Sequence, residues 1–286
     1  MNKGYTRDVY KSDLGYEITH TEGFSAEDST ISYLHQTPRF ILYYFIKGKG
    51  NIKIEGKTYK IDDGDIIFLN PQEMFCCRID SNTYHERIVL HFNDEVLKNF
   101  PKDCNRLFSP FINRNKGERN SLDAKTVTSY KLDTIINEIL SFSQTNEEMN
   151  EILALCKIIE LLYRIYDISE NKNIINVINS TENSTINKIL KYLNNNYTKQ
   201  ITIDIISKEF SLDKSYMSHL FKEHVGIPIW SYVIFRRISF FNGLVRDGIA
   251  IDEASRTAGF NNYSNFFRLY KKHMGITPME YKRQLY

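Results

Sequence analysis

Between Thr37 and Phe92 the apolar positions fall in short β-rich runs, RFILYYFI, NIKIE, TYKI, IIFLNP and HERIVLHF, broken by KGKG, GK and DDGD. Gly48, Gly50, Gly56 and Gly64 stand where tight turns need positive φ, so this spacing predicts hairpins of a small antiparallel sandwich or barrel. After about Ser121 the period changes. In KTVTSYKLDTIINEILSF and EEMNEILALCKIIELLYRIY the apolar residues recur three or four apart, as at Ile152, Cys156, Ile159, Tyr163 and Tyr166, which predicts helices. Leu153, Ile158, Leu161 and Ile165 lie off that stripe and widen the apolar arc, so a second buried face is expected against the β domain or a twin helix of another subunit. Residues 168–187, ISENKNIINVINSTENSTIN, are asparagine-rich and thinly hydrophobic, as a tether would be. From Ser184 onward the pattern reads as about seven short helices.

The resulting division is a β-rich domain over 1–120, a helical dimerisation or packing segment over 121–167, an Asn-rich linker over 168–183 and an all-α domain over 184–286. A chain of 286 residues, 42% hydrophobic and 25% charged, is long enough for two cores. It contains no stretch suited to crossing a membrane, and MNKGYTRDVYKSD lacks the apolar region of a secretory signal, so a cytoplasmic protein is expected. Cys76 and Cys77 are adjacent while Cys104 and Cys156 are isolated, which fits neither a disulfide framework nor a metal clip. The net charge of +2 divides unevenly. Residues 181–286 carry 15 Lys and Arg against 9 Asp and Glu, whereas residues 1–180 carry 22 against 26. The basic end is the one suited to a polyanion.

Within that end a phrase occurs twice. LFKEHVGIPIWSY (Leu220 to Tyr232) returns 49 positions later as LYKKHMGITPMEY, and ITIDIIS (Ile201 to Ser207) returns 48 positions later as IAIDEAS. The second copy therefore has one residue inserted just after a turn, where a loop tolerates it. Each copy reads as a short helix, a tight turn and a longer helix, the outline of a helix-turn-helix. Ser207 and Ser255 are small where two helices approach, Gly259 suits the turn, and Asp213 and Asn261 or Asn262 can cap the second helix. Met217, Leu220 and Phe221 form one inward stripe, and Phe266, Leu269 and Tyr270 the other. Lys214, Ser215, Ser218, His219 and Lys222 then face out in the first copy; Tyr263, Ser264, Asn265, Phe267, Arg268, Lys271 and Lys272 do so in the second. These residues hydrogen-bond or carry positive charge, and none is acidic, so they suit base edges and phosphates of double-stranded DNA. A connecting helix from Trp230 to Val245 spans about 24 Å, which would set the two reading helices about one duplex turn apart.

Over GFNNYSNFFRLYKKHMGITPMEYKR (Gly259 to Arg283), and more loosely across the whole C-terminal domain, the chain resembles the AraC/XylS family of bacterial transcription regulators. YYFIKGKGNIKIEGKTYKIDDGDIIFLNP followed by HERIVLHF is similar to the cupin-like sensor domains joined to it. The resemblance implies an α+β multidomain protein with a cupin-like β-sandwich or barrel, a helical dimerisation segment and a DNA-binding domain with two helix-turn-helix units. It puts base reading on Ser215, Ser218, His219, Tyr263, Ser264, Asn265 and Arg268. His219 stands where the family often has arginine, and Phe267 where it has a small polar residue. The family's habit points to an activator, a homodimer whose promoter occupancy or contact with RNA polymerase responds to a small-molecule effector. For the effector, Tyr33, His35, Arg39 and Tyr43 are the candidate cavity residues.

Two alternatives follow from other residues. A cupin enzyme would bind metal through a His-x-His set, but none occurs, and Phe75 stands after NPQEM where a later His is expected. His85 and His91 share a strand face with Arg87 by period two, a setting more usual for packed histidines than for ligands. No metal, cofactor or catalytic residue is therefore expected. A thiol-based redox regulator would use Cys76 and Cys77.

Overall fold

The fold comes from a computed structural model, which describes residues 6–24, 30–31, 39–71, 73–145, 147–171 and 184–283. The chain divides into two compact units, Met1–Thr181 and Glu182–Tyr286. Among the described residues, ten strands build the first unit: β1 (Thr6–Lys11), β2 (Tyr16–Phe24), β3 (Thr30–Ile31), β4 (Phe40–Lys47), β5 (Gly50–Ile54), β6 (Lys57–Ile61), β7 (Ile66–Leu69), β8 (Phe75–Ile79), β9 (Tyr84–Phe92) and β10 (Ser121–Leu122). They form a six-stranded sheet in the order β1-β2-β9-β4-β7-β10 and a four-stranded sheet in the order β3-β8-β5-β6. Every recorded pairing is antiparallel.

Strand β4 shows why RFILYYFI carries almost no alternation of polarity. Leu42 and Tyr44 enter a core with the helices of this unit, while Ile41, Tyr43 and Phe45 enter a second core between the sheets. Both faces of the strand are covered, so a period of two separates two apolar sets. Strand β2 is the converse. Tyr16 and Ile18 join the helix-side core, but Thr19 and Thr21 are buried on the opposite face, so no hydrophobic run announced this strand.

The helices of this unit are α1 (Ser109–Ile112), α2 (Ala124–Ser129), α3 (Leu132–Ser143) and α4 (Glu148–Glu170). Ser121 and Leu122 pair with β7, so the change of period expected at Ser121 falls inside the last strand. Asp123 then caps α2 by accepting from the Thr126 N–H at 2.8 Å. Before it, the loop 113–120 is held by a buried pair in which Arg114 donates to both oxygens of Glu73 at 2.6 Å, and Asn120 donates to the same carboxylate.

Helix α4 corrects two sequence expectations. Its buried side is Ala154, Ile158, Leu161, Leu162, Ile165 and Ile168, whereas Ile152, Cys156 and Tyr163 of the expected stripe are exposed. Of the off-stripe residues, Ile158, Leu161 and Ile165 join the core with α3 and the sheet while Leu153 is exposed, and Ile159 and Tyr166 of the stripe pack partly against the same core. The helix also continues to Glu170, so Ile168 of the expected 168–183 linker is core; residues 172–183 lie outside the described residues.

The second unit holds α5 (Ser184–Asn196), α6 (Ile203–Phe210), α7 (Lys214–Val225), α8 (Ile229–Arg246), α9 (Ile251–Thr257), α10 (Tyr263–Met274) and α11 (Pro278–Arg283). Helix α8 passes through the middle, giving Ile234, Ile238, Phe241 and Val245 to a core with Ala254, Phe266 and Tyr270. At 18 residues it is about 27 Å long.

Candidate nucleic-acid interface

Each sequence repeat becomes a pair of helices, α6 with α7 and α9 with α10. The turn geometry repeats as well. The Leu212 N–H donates to the Ser207 carbonyl at 3.0 Å, and 48 positions later the Phe260 N–H donates to Ser255 at 3.1 Å. Ser211 and Gly259, equivalent positions, both take left-handed backbone, with φ of 52° and 92°. Helix α7 starts at Lys214 and α10 at Tyr263, so the inserted residue lies at Asn261 or Asn262, in the loop.

Capping orients both reading helices. Asp213 accepts from the N–H groups of Tyr216 and Ser215, which hold its carboxyl below the usual carboxylate range. Asn262, rather than Asn261, caps α10 by accepting from the Asn265 N–H at 2.8 Å. Met217 and Phe221 are buried in the first helix pair, as are Phe266 and Tyr270 in the second, while Leu220 and Leu269 are half-buried. All the outward candidates, Lys214, Ser215, Ser218, His219 and Lys222 with Tyr263, Ser264, Asn265, Phe267, Arg268, Lys271 and Lys272, are exposed. Some are already engaged. Lys214 pairs with Asp204 of α6, the Ser218 hydroxyl donates to the Lys214 carbonyl, and Arg268 Nη2 donates to Asn265 Oδ1 at 3.1 Å.

Comparison with known proteins bears on both units. Residues 206–284 match the family described as a helix-turn-helix domain, and residues 40–177 match the ExsA N-terminal regulatory domain. The chain carries an AraC-family helix-turn-helix domain, and its homologues are AraC/XylS-type regulators. It is 25% identical over 248 residues to the lactose operon transcription activator of Staphylococcus xylosus, covering 85% of this chain and 83% of that protein. An uncharacterized HTH-type transcriptional regulator of Escherichia coli, YdiP, is 37% identical over 100 residues; the match spans 35% of this chain and a third of the relative's length. The structure of ToxT from Vibrio cholerae O395 bound to (E)-4-(8-methylnaphthalen-1-yl)but-3-enoic acid is similar over 99% of this chain and all of the other, at 17% identity and a TM-score of 0.39.

The expected effector residues separate. Tyr33 and His35 lie outside the described residues. Arg39, ahead of β4, pairs with Glu17 of β2 at 3.4 Å. Tyr43 points between the sheets, its ring 5.9 Å from that of Phe45 and 5.8 Å from that of Phe75. The register adds residues that the sequence reading passed over. Thr19 and Tyr43 both lie opposite Val89, and Thr21 and Phe45 both lie opposite Arg87. Thr19, Thr21, His85 and Arg87 are therefore buried polar groups on one inner face, with the Thr19 hydroxyl lacking a partner among the described residues.

Cys76 and Cys77 are both buried, and burial pushes the Cys77 thiol up to about 12. Adjacent strand residues point to opposite faces, so the two sulfurs diverge. That environment opposes thiolate chemistry at the pair. Among the described residues, no three of His, Cys, Asp and Glu gather as a metal site, and no helix is long and apolar enough to cross a membrane.

Proposed function

We propose that this chain is a cytoplasmic, effector-responsive activator that reads double-stranded DNA through α7 and α10 and works as a homodimer in contact with RNA polymerase. The observation that carries the DNA reading is the exposed face of the two capped helices, whose outward residues are hydrogen-bonding, aromatic or cationic at the base-reading positions. Ser215, Ser218 and His219 on α7, and Tyr263, Ser264, Asn265 and Arg268 on α10, would meet base edges; Lys214, Lys222, Lys271 and Lys272 would meet phosphates. Lys214 must exchange Asp204 for phosphate on binding.

The test is fluorescence anisotropy of the full chain with a 30-base-pair duplex selected from a random library by the chain itself. Arg268→Ala is expected to weaken that duplex by about 1–3 kcal/mol and to relax selectivity at one position. Unchanged affinity removes α10 from its assigned role.

The effector site in this proposal is the inner face between the sheets, where Tyr43, Thr19, Thr21 and Arg87 offer aromatic, hydroxyl and cationic groups to a small anionic or polar molecule. Dimerisation is assigned to α4. Met149, Ile152, Leu153 and Tyr163 are 66%, 49%, 40% and 57% exposed, and with Cys156 they form an apolar strip at helical spacing. A second copy laid antiparallel covers that strip and brings the acidic start of one helix, Glu147, Glu148 and Glu151, toward Arg164 of the other, with opposed helix dipoles.

A further inference from the structure

We propose that Trp230 is a DNA contact between the two reading helices, laid against the sugar–phosphate backbone where the duplex passes from one major groove to the next. The inference rests on the DNA-reading roles of α7 and α10 proposed above and adds a residue on neither helix.

Trp230 is the sole tryptophan of the chain, stands at the start of α8, and is 51% exposed. On one side it borders a hollow of about 410 Å³ shared with Ser218, His219 and Lys222 of α7. On the other it borders a hollow of about 190 Å³ shared with Asn261, Asn262 and Asn265, at the entry to α10. The indole is therefore a ridge between the two reading surfaces, continuous with both.

The ring is also held from behind. The Arg237 guanidinium lies 5.6 Å from the Trp230 ring centre and 5.7 Å from that of Phe260, in the turn before α10. Arg237 is buried, and its Nε and Nη2 donate to the carbonyls of Tyr197 at 2.6 Å and Lys199 at 2.8 Å. A large aromatic ring with two torsions, pinned by a fixed cation, loses little freedom on binding and so is an efficient contact.

The chemistry of the opposing surface follows from the placement. Helices in successive major grooves enclose between them the minor groove and its two backbone strands. Deoxyribose offers an apolar face to the ring, phosphate accepts from the indole N–H, and Arg237 behind the ring makes the locality positive. DNA is favoured over a protein partner because each hollow is bordered by assigned reading residues, Ser218, His219 and Lys222 on one side and Asn265 on the other, so a duplex read by both helices lies against both hollows.

The experiment uses the full chain and the selected 30-base-pair duplex. Because Trp230 has no competitor, intrinsic fluorescence with acrylamide quenching reads it directly. The quenching constant is expected to fall by about half or more at saturation, as an interface residue loses solvent. Trp230→Ala, checked for native circular dichroism, is expected to bind about tenfold more weakly with an unchanged salt slope, since no cation is removed. Unchanged quenching on a duplex that the chain still binds overturns the contact and leaves the reading roles of α7 and α10 standing. A chain that retains no duplex overturns both. If Trp230→Ala keeps wild-type duplex affinity but loses activated transcription with purified RNA polymerase, the ridge is a protein contact and the proposal falls.

Discussion

Gly259 and Ser211 occupy the same place in two copies of one turn, yet they tolerate change in opposite directions. At Gly259 the backbone is left-handed, and a Cβ would run into the carbonyl oxygen of Thr198. Gly259→Ala should therefore destabilise the second unit by about 2–4 kcal/mol, from backbone strain plus a clash that cannot relax. Ser211 already bears the left-handed strain, so Ser211→Gly should stabilise by about 0.5–1 kcal/mol once the added unfolded-state freedom is subtracted. Urea unfolding of both variants checks this, and effects of the same sign would refute the assigned turn geometry. A buried and a half-buried histidine set a pH dependence on the same scale. Burial first, then Arg87, holds His85 below its ordinary value; burial first, then Lys272, does the same to His273, which also stacks edge-on with Phe235. A depressed imidazole binds fewer protons folded than unfolded, so its stabilising effect is present above about pH 6.5 and is lost as the pH falls toward the folded pKa. The urea midpoint should drop between pH 7.5 and 5.5, and His273→Gln should lessen that drop.

Helices α7 and α10 share a fold but not a charge. The last turn of α10 carries Lys271 and Lys272, whereas α7 has Lys222 followed by Glu223. Replacing both α10 lysines by alanine should reduce the slope of log affinity against log salt by about 1.8, and Lys222→Ala by about 0.9, measured on the same duplex. Equal losses would deny the asymmetry. Helix α4 gives a second comparison at this scale. Ile152→Glu with Tyr163→Glu places charge on the exposed strip without touching the buried side, so secondary structure should survive while sedimentation at micromolar concentration shifts from dimer to monomer. Persistent dimers would place the interface elsewhere. The choice of face on α4 was not legible because Leu, Ile and Tyr occur all around the helix; only its contact with α3 and the sheet distinguished the stripes.

For the whole molecule, the sequence by itself determined the division into a β-rich part and a helical part, the two helix-turn-helix units, the capping of α7 by Asp213 and the exposure of the reading residues. Such features depend on residues within a few positions of one another, where turn chemistry and the 3.6 and 2.0 periods act directly. Tertiary structure alone decided the rest. Glu73 and Arg114, 41 positions apart, form a buried pair whose disruption by Arg114→Met would leave a carboxylate stranded, at about 3–5 kcal/mol. Sheet register placed Thr19, Thr21 and Arg87 on the inner face beside Tyr43, a placement that no neighbouring residue in the sequence signals. Trp230 acquired its position between the two hollows only when α8, through its own Arg237, was packed against Phe260 and the loop at Tyr197. Local propensity carries no information about partners forty residues away; their meeting is set by the burial of shared apolar surface, a property of the assembled chain.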